Sequence, residues 1–255
     1  MYRQINVHSD DWKFQRIRWI TSKESIQSYD LTTVTYGLAC APYLALRTIL
    51  QLIEDEGQKF PLAVPCLKQG RYVDNIFGGN DSIEEIQDII YQLNQLCMAG
   101  GFPLQKWASN DKIILKSLSS DNQNSPHILS SNQDSYVTIL GLQWHPSIDS
   151  FQFILDCPIK TSTTKRSILS TIAQLFDPLG FLSPVIIKAK ILIQNLWVNK
   201  FGRDDSLPSS IADNWIIFVN ELQDLKSITI PRWIEIKSKF QVQLHGFCDA
   251  SIQNH

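Results

Sequence analysis

The spacing of apolar residues along this chain switches repeatedly between a period near two and a period near 3.6, and each switch predicts an element. Alternation over Arg16–Ile20 predicts a strand, followed by a polar turn. In "TTVTYGLACAPYLALRTILQLIEDEG" the period lengthens. Leu44, Ile49, Leu50 and Ile53, with Ala41 and Ala45, fit a helix that opens near Pro42 and ends near Gly57. "RYVDNIFGG" (71–79) reads as a short β-hairpin. "NDSIEEIQDIIYQLNQLCMAGG" is a second helix. Asp81 or Ser82 caps it, Glu84 and Glu85 suit its first turn, and Gly100-Gly101 stop it. Its stripe of Ile83, Ile86, Ile90, Leu93 and Leu96 predicts one face packed on a sheet. "FPLQKWAS" and "DKIILKSL" read as strands, and the polar residues 118–135 as a mobile loop. "YVTILGLQWHPSIDSFQFIL" is a hairpin turning at Pro-Ser-Ile-Asp. From Thr161 the pattern is helical: "TKRSILSTIAQLFD", a break at Pro178-Leu179-Gly180, a helix from Ser183-Pro184 to about Asn199, and another over about Ser209–Leu225. "KFQVQLHGFCDAS" reads as a last, lone strand. The fold class is α+β.

A chain of 255 residues suffices for one large domain or two small ones. The formal net charge of −2 gives no global attraction to nucleic acid, so any basic groove has to be local. The five cysteines are scattered, without C-x-x-C or zinc-ligand spacing, and read as free thiols of a reducing compartment. Residues 1–20 lack the apolar segment of a signal peptide. Lys188 and Lys190 interrupt the most apolar long run, which is therefore not a membrane span. An intracellular protein, cytoplasmic or nuclear, with no membrane partner, is expected.

The hairpin carries the sharpest chemical signal. Two-metal nucleotidyl transfer needs hard carboxylate ligands held close together, and an acid at a hairpin tip supplies one of them. By itself, however, an Asp-Asn pair in a hairpin is ordinarily a turn former.

The neighbouring motifs change that balance. "MYRQI", "TYGLACAPYLALR", "YVDN", "GFPLQKWASN", "LGLQW" and "TKRSILSTIAQLFDPLGFLSPVIIKAKILIQNLW" follow one another in the order of a known family, with "PRW" and "LHGFCDAS" after them. The chain resembles the polyproteins of BEL/Pao-type long-terminal-repeat retrotransposons, from reverse transcriptase to the start of RNase H, including the region named for the Pao retrotransposon peptidase family. The resemblance implies an RNA-directed DNA polymerase using Mg2+ (or Mn2+), an RNA/DNA primer–template as partner, and the rest of the polyprotein around it. Proteolysis is not assigned, because no D-[TS]-G triplet is present.

Carried over residue by residue, the resemblance makes Asp74 the first metal-binding aspartate of the hairpin motif. Asn75 stands where the second is expected, and an amide there lacks the charge. Tyr2 corresponds to the aromatic under the incoming sugar, with Gly37, Tyr72 and Lys106 as further nucleotide- or template-binding positions. Gly141, Leu142, Gln143 and Trp144 correspond to a primer grip, although Trp144 reads equally well as core. Lys165 and Arg166 are either phosphate contacts or a surface pair. Asp249 corresponds to the first metal-binding acid of RNase H.

The expected architecture is a truncated right-hand polymerase palm, an antiparallel sheet plus helices (1–117). A polar loop (118–135), a primer-grip-like hairpin (136–160), a helical thumb or connection (161–240) and the first strand of an RNase H-like domain (241–255) follow. The first-motif aspartate of the family would precede Met1, so the chain alone is expected to be inactive as a polymerase. Two other readings stay open at this point: a non-catalytic nucleic-acid-binding remnant, and an unstable decayed gene product.

Overall fold

The computed structural model describes residues 1–21, 25–119, 127–128, 136–139, 141–153, 163–175, 177, 179–234, 236, 241–243 and 245–246. It divides into two units, Met1–Trp107 with Lys116–His127, and Ala108–Leu115 with Ile128–His255.

In the first unit, β1 (Arg16–Ile20) forms the expected strand, and the residues after the turn supply an antiparallel partner, β2 (Ile26–Asp30). α1 (Ala41–Glu56) buries Ala41, Ala45, Ile49, Leu52 and Ile53, a stripe at helical spacing with Pro42 in its first turn. Leu50, expected in that stripe, lies on its outer side. A short helix, α2 (Val64–Lys68), leads into β3 (Arg71–Tyr72) and β4 (Asn75–Ile76), the predicted hairpin. α3 (Ile83–Ala99) starts where Ser82 Oγ accepts the Glu85 N–H at 3.3 Å. It stops at Gly100-Gly101. The Phe102 N–H returns to the Cys97 carbonyl at 2.8 Å, and Gly101 takes φ +73°. Leu93, Leu96 and Cys97 of α3 join Ile49, Ile53 and Leu67 in one core.

β5 (Lys106–Trp107) is all that forms of the first strand expected after α3. The second, "DKIILKSL", is not a strand but a helix, α4 (Lys112–Ser119). The run Ile113-Ile114-Leu115 suggests a strand by composition, yet the preceding polar residues decide the outcome. Ser109 Oγ accepts the Asp111 N–H at 3.1 Å, just before the helix, and Asp111 Oδ1 accepts the Ile113 N–H at 2.6 Å, which satisfies a donor of the first helical turn. The buried residues Ile114, Leu115 and Leu118 then fall at helical spacing. Of the polar loop 118–135, residues 120–126 and 129–135 lie outside the described residues, and β6 (His127–Ile128) falls between them.

The second unit is built on an antiparallel sheet in the order β10-β9-β8-β7. The expected hairpin supplies β7 (Val137–Ile139), β8 (Leu142–His145) and β9 (Ser150–Phe153). The register pairs Trp144 with Phe151 and Val137, and Gln143 with Gln152 and Thr138. Strand alternation therefore separates an apolar face (Leu142, Trp144, Phe151, Phe153) from a polar one (Thr138, Gln143, His145, Gln152). α5 (Lys165–Ile172) opens on a capping box between Thr164 and Ser167. After a break at Leu179-Gly180 comes α6 (Ser183–Val198), with Pro184 in its first turn, and then α7 (Ser209–Glu221). The end of the last predicted helix tightens instead into a 3-10 turn, Leu222–Ser227, which buries Leu222 and Leu225. These two residues pack with Leu142, Phe153, Leu175 and Leu182. A second cluster, Ile168, Leu196, Leu207, Trp215 and Val219, joins the helices to one another.

β10 (Thr229–Pro231) pairs with β9 and was not predicted. A three-residue strand ending in proline gives no alternation to detect, and it is tolerated here because it lies at the sheet edge. The lone strand expected over "KFQVQLHGFCDAS" falls largely outside the described residues, and 241–243 and 245–246 carry no strand. Among the described residues, no helix is long and apolar enough to cross a membrane. Cys40, Cys66 and Cys97 are free thiols, and Cys157 and Cys248 lie outside the described residues.

Candidate functional site

The β3–β4 hairpin is fastened at its base. The Phe77 N–H donates to the Gly70 carbonyl at 2.6 Å, and a Cβ on Gly70 would stand 2.1 Å from the Phe77 oxygen. Only glycine allows that approach. Tyr72 pairs with Asn75, leaving Val73 and Asp74 as the two-residue turn. Val73 has φ +53°, a left-handed conformation that a β-branched side chain strongly resists. A turn of this length prefers glycine at its first position. The strained turn puts Asp74 at the tip, exposed, beside the exposed Asn75 and Tyr72.

Arg71 begins the hairpin. Its Nε donates to the Leu67 carbonyl at 3.2 Å, while Nη1 is buried with no hydrogen-bond partner. Burial pushes its pKa below the usual arginine value.

Of the other nucleotide-site candidates of the first unit, Tyr2 packs on the α1–α3 core, whereas Lys106 is exposed. Tyr2 is half-buried and meets Tyr36 edge-on, with ring centroids 4.9 Å apart at 89°. Gly37 follows with φ +87°, and open space lies where a Cβ would be. The N-terminal segment is held there by Val34 N–H to the Ile5 carbonyl and Val7 N–H to the Thr32 carbonyl, both at 2.9 Å. Tyr2, Ile76 of β4 and Trp107 of β5 all pack against the α1–α3 core. Lys106 is exposed on β5.

The donor set for a divalent cation is thin. Asp74 supplies one carboxylate and Asn75 an amide oxygen, whereas magnesium favours several charged oxygens in octahedral array. Among the described residues, no group of three or more His, Cys, Asp or Glu side chains is placed to hold a metal ion. The described residues do not fit a magnesium site by themselves. Asp249 lies outside them.

In the second unit, Gly141 takes φ +82° in the turn before β8. Leu142 and Trp144 are buried, at 2% and 7% exposure, so neither side chain faces solvent. Of the four primer-grip candidates, Gly141 and Gln143 remain partly open, with Gln143 on the polar face. The Trp144 indole N–H is engaged by Asp149 Oδ1 at 2.9 Å. Arg232 donates to the same carboxylate through Nε at 2.5 Å and Nη2 at 2.6 Å, and Asn110 Nδ2 donates at 3.3 Å. Burial alone raises the Asp149 pKa. Hydrogen bonds from Arg232 and Trp144, then the arginine charge and Asn110, outweigh it and hold the carboxyl below its usual value. Sequence reasoning saw Asp149 only as a turn residue.

Lys165 and Arg166 are both engaged. Lys165 Nζ donates to the Phe201 carbonyl at 3.1 Å and lies 5.7 Å from the centre of the Trp197 ring. Arg166 makes a two-point ion pair with Asp204, both contacts at 2.7 Å. The reading as a surface pair is the one this geometry favours.

The helices and antiparallel sheet define an α+β protein, and residues 164–255 match the family model described as the Pao retrotransposon-like RNaseH-like domain. That match supports a Pao retrotransposon-related protein with an RNase H-like segment, which takes in the helices from α5 onward as well as the stretch after 241. No curated protein matches the chain.

Proposed function

We propose that the chain is the reverse-transcriptase-to-RNase-H portion of a Pao-type retrotransposon polyprotein. In this reading the first unit derives from a polymerase palm and the chain engages an RNA/DNA primer–template. The observation that carries the proposal is the exposed Asp74 at the strained tip of a hairpin whose Ile76 packs on the same core as Tyr2 and Trp107. The retrotransposon-type match downstream supports it. The hairpin reads as a metal-binding motif with one ligand replaced. Asp74 carries the remaining charge, and the Asn75 amide lowers affinity for Mg2+. The Asn75 amide by itself weakens polymerase activity without abolishing it.

The same substitution favours a second reading, a nucleic-acid-binding remnant without catalysis. Primer extension with Mg2+ or Mn2+, run alongside fluorescence anisotropy on a labelled primer–template, separates the two. The polymerase-derived reading predicts binding by the wild type, with extension that rises in Asn75→Asp and vanishes when Asp74→Asn is added. Binding with no extension in any variant supports the remnant. Absence of primer–template binding at low salt overturns both readings.

A further inference from the structure

Asp149 does far more than close a turn. A turn former needs one local backbone bond. Asp149 uses both carboxylate oxygens on donors from three chain segments. Oδ1 accepts from Trp144 Nε1 and Arg232 Nε, and Oδ2 accepts from Arg232 Nη2 and Asn110 Nδ2. Its carbonyl also accepts the Arg232 backbone N–H at 2.9 Å. The Arg232 guanidinium lies 6.0 Å from the centre of the Trp144 ring. The residue reaches these partners from φ +48°, and its side chain is 23% exposed. Trp144 is thereby fixed on the apolar face of β8, while Gln143, one residue earlier, stands on the opposite, polar face.

We propose that Asp149 is a positioning residue. It clamps Trp144 through its indole N–H and through Arg232, so that Trp144 acts as a buried strut and Gln143 is held where it meets the end of a primer strand. The role assigned to Gln143 rests on the primer–template reading above. The clamp itself rests on geometry alone. A two-point arginine–carboxylate pair adds orientation as well as energy, and a recognition strand needs its supporting contacts locked.

Two variants test this from opposite sides. Asp149→Asn keeps the size of the side chain but cannot accept the guanidinium through both oxygens. Arg232→Met leaves Asp149 and Trp144 in place. The first readout is hydrogen exchange of the Trp144 indole N–H, its resonance assigned as the one lost in Trp144→Phe. Exchange is expected to accelerate about tenfold in both variants. The second readout is the ratio of affinities for a recessed primer–template and a blunt duplex of equal length. Loss of folded protein scales both affinities equally, so a purely structural defect leaves the ratio unchanged. The proposal expects it to fall about fivefold. Unchanged indole exchange overturns the clamp. Faster exchange with an unchanged ratio overturns the positioning role. A wild-type ratio of one overturns the primer–template reading, and the positioning role with it, whatever the indole does.

Discussion

At the scale of single residues, the two least expected features are both backbone positions with positive φ. Val73 at the hairpin tip has φ +53°. Such strain costs about 1–3 kcal/mol in a β-branched residue, against about 1 kcal/mol for the flexibility glycine adds to the unfolded chain. Val73→Gly is therefore expected to raise the urea unfolding midpoint, by about 1 kcal/mol in stability. A lower midpoint would mean that the contacts of the valine outweigh its strain. Asp149 gives a pH prediction. Its folded pKa lies below the ordinary 3.8, so the unfolded chain takes up the proton first. The stabilisation is complete above pH 3.8 and is lost as pH falls through the depressed folded value. Urea unfolding followed from pH 5 downward should show an acid-side fall that is shallower in Asp149→Asn. Equal slopes would contradict the clamp energetics. Asp30 and Asp204 are lowered in the same direction by Arg16 and Arg166, but all four groups stand in solvent, where screening leaves such pairs little weight.

Among the elements, those with strong local signals were legible in the sequence. α1 and α3 announced themselves by apolar stripes, a first-turn proline, a serine cap and a glycine stop. The hairpin of residues 71–76 was visible in its polar tip between apolar flanks. α4 was misread because three consecutive apolar residues mimic a buried strand, and the deciding bonds come from Ser109 and Asp111 just outside the run. β10 was missed because it is short and its pairing partner lies in β9, far back along the chain. The Asp149 cluster was illegible for the same reason, since Asn110 is 39 residues away and Arg232 is 83. Non-local partners leave no local pattern. The α3 cap offers an element-scale test. Ser82→Ala removes the acceptor for the Glu85 N–H and should cost about 1 kcal/mol, read as a lower unfolding midpoint. A change near zero would mean that Asn80 and Asp81 replace the cap.

For the whole molecule, the two units carry separate halves of the reading. The first holds Asp74, Tyr2, Gly37, Tyr72 and Lys106, and the second holds β8, the Asp149 clamp and the retrotransposon-type match. Net charge is −2, so attraction to a polyanion has to come from local cations such as Lys106, Lys188 and Lys190. The proposed function stands or falls on engagement of a primer–template. The measurement that tests it most directly is the affinity of the chain for a labelled recessed primer–template across a salt series. Engagement through phosphate contacts gives binding whose affinity falls about tenfold or more from about 50 to about 200 mM salt, linear in the logarithm of salt, as counterions are released. Absence of binding at the lowest salt, or an affinity indifferent to salt, would contradict it.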